Sequence, residues 1–170
     1  MSSTEILLDN LKRHYLLDSS RALARKMNLS ESLVLNWSSG RSSPSIKQID
    51  EIAYMLGVEV YQLLIPNNIF SVTTPVWKDK VEQTLIKNLG KLKLERDIHE
   101  SSFYQSFNQD SKMGYRTFLR YVNGQNSNVN LEKLDRLAKI LSVDTYELLE
   151  SEKKNEKKNF YKWTNEEDYR

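Results

Sequence analysis

The chain has 170 residues, of which 39% are hydrophobic and 28% charged, and its 25 basic and 23 acidic side chains leave a formal net charge of +2. There is no cysteine and only two histidines, which excludes disulfides, thiol catalysis and zinc sites built from thiolates or clustered imidazoles. The apolar stretches are far shorter than the roughly 20 residues of a membrane span, and the N-terminus lacks a signal-peptide pattern, so we expect a cytoplasmic protein without membrane contact.

Helical periodicity predicts five short helices in residues 1–65. Apolar residues recur on one helical face in the segments 5–16, 21–27, 31–38, 46–56 and 60–64. Thr4 and Ser30 are candidate N-caps, and Asn28 and Gly40 suit the left-handed ends of the second and third helices. We therefore predict an all-α domain over residues 1–65.

The same pattern returns after a proline-containing linker, residues 66–77. Residues 124–149 align with residues 40–64 if one residue is added, and the residues upstream align without a gap. The alignment pairs Ile46 with Leu131, Ile49 with Leu134, Val34 with Phe118 and Trp37 with Tyr121. The correspondence is blurred only over the first two helices of the second repeat. The sequence thus predicts an internal duplication, with a second all-α domain over residues 78–150.

Residues 151–170 form a charged tail. Its first part contains almost only Ser, Glu, Lys and Asn, and offers nothing to bury. Four aromatic residues follow, Phe160, Tyr161, Trp163 and Tyr169. Because exposed aromatic side chains lower solubility, we expect this end to dock on the body or to contact a partner; the alternative is a wholly disordered end.

Residues 22–64 resemble the five-helix module of phage-repressor/Cro-type (XRE family) DNA-binding proteins. Five residues carry the resemblance. Ala24 is a small residue where the second and third helices cross, and Asn28 is a left-handed turn residue. Val34 and Trp37 are inward-facing residues on the third helix, and Gly40 ends that helix. The resemblance implies two five-helix lambda-repressor-like helix-turn-helix domains in tandem, followed by the charged tail. It also implies double-stranded DNA as the partner, and a nucleoid-associated location.

In that family the third helix lies in the major groove with its N-terminal residues towards the bases. The resemblance therefore assigns base contacts to Glu31, Ser32, Leu33 and Asn36 in the first repeat, and to Tyr115, Arg116, Thr117 and Arg120 in the second. The loop after this helix contacts phosphate, which assigns that role to Arg41, Ser42, Ser43, Gln125, Asn126, Ser127 and Asn128. Arginine suits guanine and asparagine suits adenine, so the two repeats imply different half-sites.

The charge distribution favours the second repeat as the DNA-binding element. Residues 1–65 contain seven basic and seven acidic side chains, and residues 150–170 contain six of each, so the whole basic excess lies between them. Residues 101–131 contain three basic side chains, Lys112, Arg116 and Arg120, and one acidic side chain, Asp110. We expect a modest electrostatic attraction for DNA, concentrated on the second repeat.

Three functions are compatible with these patterns. The first is a transcriptional regulator, typical of bacteria, phages or mobile elements, whose two repeats bind DNA as a covalent pseudo-dimer. In the second, one repeat binds DNA while the first repeat or the tail supports homodimerisation or effector sensing. The third is an antirepressor or accessory protein that binds another protein. An enzyme is not expected, and neither is a metal or cofactor, because no nucleophile and base have a recognisable spacing and no Gly-rich phosphate loop is present.

Overall fold

The computed structural model describes residues 1–70, 80–106, 113–126 and 129–151, with only the backbone considered for residues 104–106. Over these residues the chain is all-α. Its helices are α1 (Ser3–His14), α2 (Ser20–Met27), α3 (Glu31–Ser38), α4 (Ile46–Leu56), α5 (Val60–Leu63), α6 (Val81–Glu95), α7 (Glu100–Ser106), α8 (Tyr115–Val122), α9 (Leu131–Leu141) and α10 (Thr145–Leu149). We call α1–α5 the first half and α6–α10 the second half. In the described part of the chain, no helix combines the length and the apolar character needed to cross a membrane.

Local side-chain chemistry sets the helix ends. The predicted left-handed residues are confirmed, since φ is +55° at Asn28 and +73° at Gly40. Ser30 accepts a hydrogen bond from the Leu33 amide and caps α3, as predicted. The prediction of Thr4 as the cap of α1 was wrong. Ser2 takes this role, because its hydroxyl accepts from the Glu5 amide while the Glu5 carboxylate accepts from the Ser2 amide, forming a capping box.

The inward-facing residues of each half lie in the core. On α3, Val34 is 1% and Trp37 3% exposed, and their counterparts on α8, Phe118 and Tyr121, are also buried. Ala24 is fully buried where α2 packs on α3, which agrees with its predicted role as a small residue at a helix crossing. These contacts hold α3 and α8 by one face and leave the opposite face towards solvent.

One asparagine in each half ties the first helix to the end of the fifth. The Nδ2 group of Asn10 on α1 donates to the carbonyls of Leu63 (2.9 Å) and Ile65 (2.8 Å). Asn88 on α6 donates in the same way to the carbonyls of Leu148 (2.8 Å) and Glu150 (2.9 Å), which are the equivalent positions. Both satisfy carbonyl groups at a helix C-terminus that have no partner within the helix. This shared contact extends the duplication to α1 and α6, where the sequence comparison was blurred.

The two halves pack against each other with an approximate two-fold relationship. Helix α1 contacts α9, and α4 contacts α6. These two contacts are equivalent, because α6 is the counterpart of α1 and α9 is the counterpart of α4. Helix α5 contacts its own counterpart, α10. At the centre, Ser45 and Asn130 form an antiparallel bridge. The Ile46 amide donates to the Val129 carbonyl (2.9 Å), and the Leu131 amide donates to the Pro44 carbonyl (3.0 Å). Such reciprocal pairing is typical of an isologous interface between two protomers.

The packing between the halves is extensive enough to give a common core. The buried apolar residues of both halves form one continuous cluster. At its edge, the Asp135 carboxylate on α9 accepts hydrogen bonds from the amide (2.9 Å) and the hydroxyl of Ser3 at the start of α1, and from the Thr145 hydroxyl (2.7 Å). A carboxylate at this position also interacts favourably with the dipole of α1. The halves therefore meet as two parts of one folded body.

Candidate nucleic-acid interface

Helix α3 presents a polar surface of low net charge. Ser32 is exposed, and Glu31, Leu33 and Asn36 are partly exposed. The Glu31 carboxylate accepts from the Arg25 Nε at 3.1 Å, so its charge is partly neutralised by the preceding helix. Leu33 packs against the core, whereas Leu35 is 38% exposed. The surface offers hydrogen-bonding groups to a ligand, and its charge is balanced within the chain.

Helix α8 presents two cations and a hydroxyl in the equivalent places. Arg116, Thr117 and Arg120 are exposed, and both arginines lie on the solvent face one helical turn apart. Tyr115 is only partly exposed. Its ring packs near the rings of Phe103 (centroid distance 5.6 Å) and Phe118 (6.2 Å), which form an aromatic cluster beneath the start of α8. The structure therefore brings three of the four predicted residues to the surface and holds the fourth partly in the core.

The turns after α3 and α8 have the same backbone geometry. The Arg41 amide donates to the Asn36 carbonyl (3.0 Å), and the Gln125 amide donates to the Arg120 carbonyl (2.9 Å). Gly124, the counterpart of Gly40, has φ of +68°. Arg41 and Ser42 are exposed after the first turn, as is Gln125 after the second. Each turn leads from α3 or α8 towards the Ser45–Asn130 bridge, so the two helices hold equivalent places in the two halves.

The first of these loops is engaged with the other half of the chain. The hydroxyl of Ser43 accepts from the Glu132 amide (3.0 Å) and lies 3.2 Å from the Thr4 hydroxyl. A cavity of about 290 Å³ adjoins the loop, and its lining includes three carboxylate residues, Glu5, Glu132 and Asp135. The Arg136 guanidinium donates to the Glu132 carboxylate at 2.7 Å and partly neutralises it. The remaining negative charge beside the loop opposes the approach of a phosphate group. No local pattern in the sequence indicates this proximity, because Ser43 and Glu132 are 89 positions apart.

The second loop is described at both of its ends. Asn126 is partly exposed, and Val129 is buried beside the Ile46 amide. The predicted phosphate-contacting residues Ser127 and Asn128 lie outside the described residues, as do Lys112 and the tail from residue 152. An added Cβ atom at Gly124 would lie 2.6 Å from the Cδ1 atom of Ile86 on α6, so the start of this loop packs closely on that helix.

One titratable group on the inner face of α8 has a perturbed pKa. Burial raises the pKa of the Tyr121 phenol, and the Arg136 guanidinium partly opposes this rise. The phenol is therefore neutral at physiological pH and acts as a packing group on the buried face of α8. Among the described residues, no group of three or more His, Asp or Glu side chains is arranged to hold a metal ion.

Comparison of the chain with models of known protein families, with curated proteins and with solved structures found no match.

Proposed function

We propose that the protein is a sequence-specific double-stranded DNA-binding transcriptional regulator that acts as a covalent pseudo-dimer of two helix-turn-helix units. The observation that carries the proposal is the approximate two-fold arrangement of the two halves. It gives α3 and α8 equivalent supports and equivalent following turns, both of which lead to the Ser45–Asn130 bridge. Two recognition helices related by a two-fold axis match the pseudo-symmetry of duplex DNA, in which successive major grooves are about 34 Å apart.

Under this proposal, the two helices bind unequal half-sites. Arg116 and Arg120 are exposed cations that can each bond two acceptors of guanine in the major groove. Asn36, the counterpart of Arg120, can bond adenine in the same way. The operator is therefore expected to contain two half-sites whose centres are roughly 10 base pairs apart, with a G·C pair at the position where the other half-site has A·T.

The experiment is a selection of bound fragments from random duplex DNA by the full chain, followed by affinity measurements on the selected site. Replacing Arg116 and Arg120 with alanine should weaken binding by about 1–3 kcal/mol for each base-specific hydrogen-bonded pair removed, and relax the sequence preference in one half-site only. The control is Arg13→Ala, because Arg13 is exposed on α1, where it bonds Asn67 (3.0 Å). Absence of any enriched sequence, or equal effects of the double variant and the control, would contradict the proposal.

A second candidate function confines DNA contact to the second half. Two features favour it, namely the pairing of Glu31 with Arg25 and the partly exposed Leu35 on the same helix. In this version α3 serves dimerisation or effector sensing. Measuring the mass of the protein–DNA complex in solution separates the two, since a pseudo-dimer binds its site as one chain, whereas two chains on one site would indicate dimerisation through the first half.

A further inference from the structure

Helix α2 carries three basic side chains, Arg21, Arg25 and Lys26, and no acidic one. All three are exposed. The Nζ atom of Lys26 lies over the ring of Tyr15, 5.4 Å from its centroid. Arg25 instead bonds the first residue of α3, since its Nε atom donates to the Oε1 atom of Glu31 at 3.1 Å. A local positive charge therefore adjoins the start of the predicted base-contacting helix of the first half.

The ion pair between Arg25 and Glu31 leaves part of each group available to a ligand. The side chain of Arg25 is 76% exposed and that of Glu31 43%. Among the described residues, neither side chain has a second bonding partner, so the Oε2 atom of Glu31 can still accept a hydrogen bond. The dipole of α3 also favours a carboxylate in this first turn, next to the cap Ser30. Fixed groups thus hold the carboxylate at the end of α3.

The second half has no carboxylate in the equivalent place. Val34 and Phe118 are counterparts, so Glu31 and Tyr115, which each lie three residues earlier, are counterparts too. The Tyr115 ring packs near that of Phe103, with a centroid distance of 5.6 Å. A base recognised through the Glu31 carboxylate would therefore belong only to the half-site of the first half.

A carboxylate at the start of a recognition helix suits one base in particular. Cytosine presents a hydrogen-bond donor, its N4 amino group, in the major groove, and Glu and Asp side chains accept from it. The DNA phosphates would repel a lone carboxylate, but the Arg25 guanidinium compensates the charge of Glu31. Because the guanidinium is planar and donates through Nε in a fixed direction, it also orients the carboxylate.

From this arrangement we propose that Arg25 and Glu31 form one specificity-determining unit. Glu31 accepts from a cytosine of the first half-site, and Arg25 is the positioning residue that orients and neutralises its carboxylate. This inference rests on the proposed function and deepens it, since it names a base that distinguishes the first half-site from the second. It also gives α3 a contact with DNA, which the second candidate function does not.

The test repeats the selection from random duplex DNA with the full wild-type chain and with Glu31→Gln. Affinities are then measured for the four bases at the position where the two selected sites differ. The wild type should prefer cytosine there, and Glu31→Gln should prefer adenine, because a side-chain amide bonds adenine at two atoms. Each preference should be about five- to tenfold in affinity, the lower part of the range for a base contact.

Arg25→Gln tests the positioning role. It should reduce the preference for cytosine to about twofold or less, whereas in the Glu31→Gln background it should leave the preference for adenine unchanged, because no carboxylate remains to be positioned. Loss of positive charge alone weakens binding to all four bases equally and does not alter these ratios. The matched control is Lys91→Gln with Glu95→Gln, which removes another exposed ion pair (3.9 Å) on α6 and should leave both preferences unchanged. Exposed ion pairs contribute little to stability, so all these variants should fold.

The inference is overturned if Glu31→Gln selects the same site as the wild type, or if Arg25→Gln changes the preference for cytosine no more than the α6 control does. Either result leaves the proposed function standing as long as a site that depends on Arg116 and Arg120 is enriched. If the wild-type chain enriches no sequence at all, the proposed function itself fails.

Discussion

Asn10 provides a strong test of how the first half is held together. Its side chain is 1% exposed, and its Nδ2 group bonds two carbonyls, those of Leu63 and Ile65, at 2.9 and 2.8 Å. Asn10→Ala removes both bonds and leaves both carbonyls short of a donor. With a net contribution of roughly 0.5–1.5 kcal/mol for each bond, we expect the free energy of unfolding to fall by about 1–3 kcal/mol.

Asn10→Asp is the sharper variant, because it keeps the shape of the side chain while replacing the donor with an oxygen. A carboxylate would then face two carbonyl oxygens in a buried site, and we expect the free energy of unfolding to fall by more than about 3 kcal/mol at neutral pH. Burial should raise the pKa of this carboxyl in the folded state above its ordinary value of roughly 3.9. The protonated acid can still donate one bond, so the variant should be most stable relative to wild type below about pH 4, and lose stability as the pH rises through the raised folded-state pKa.

The assay is urea unfolding followed by circular dichroism and by tryptophan fluorescence. The control is Asn123→Ala, which changes an exposed asparagine at the end of α8 and should alter stability by less than about 0.5 kcal/mol. Asn88→Ala, the counterpart in the second half, should destabilise the same single transition, since the two halves share one core. The reasoning is refuted if Asn10→Asp is as stable as wild type at neutral pH, and the shared core is refuted if the Asn10 and Asn88 variants shift two separate transitions.

Two further predictions concern the second half. Gly40→Ala and Gly124→Ala both place a side chain at positive φ, which costs about 1–2 kcal/mol. Only Gly124→Ala also crowds Ile86, so it should lower the melting temperature more than Gly40→Ala does. Ile86→Val should reduce this difference in melting temperature between the two glycine variants. Burial raises the pKa of the Tyr121 phenol above its ordinary value near 10, so the stabilisation from the neutral phenol is complete below that pH and is lost as the pH rises through the folded-state pKa. In chemical unfolding at several alkaline pH values, the stability of Tyr121→Phe should decline less steeply with pH than that of the wild type. Equal slopes for the two proteins would contradict the assigned burial effect.

The sequence predicted the elements whose ends are set by local chemistry. The bounds of α4 were predicted at both ends, and the left-handed residues Asn28 and Gly40 were identified because few residue types tolerate that conformation. Helix α1 was predicted over residues 5–16 and observed two residues earlier, since the capping box of Ser2 and Glu5 outweighs the hydrophobic pattern in choosing the start.

The relationship between α1 and α6 could not be predicted from residue similarity. Helix α6 is 15 residues long and α1 is 12, and their exposed faces differ in charge, so an alignment finds little to match. What the two helices share is a contact, made by Asn10 and by Asn88, with carbonyls more than 50 residues away. A contact of that kind is a property of the folded chain, and in the sequence it requires only that an asparagine occupy one position of each helix.

The placement of the candidate site depends on contacts of still greater sequence separation. The Ser45–Asn130 bridge and the bond between Glu132 and Ser43 join parts of the chain that are 85 and 89 residues apart. In a homodimer with the same geometry, equivalent positions such as 47 and 132, each two residues after the bridged Ser45 and Asn130, would carry identical residues. Joining the two halves in one chain removes that constraint, which allows Lys47 and Glu132 to differ in sign at equivalent positions. A single chain can therefore keep an approximately two-fold backbone while the side chains of its two halves diverge.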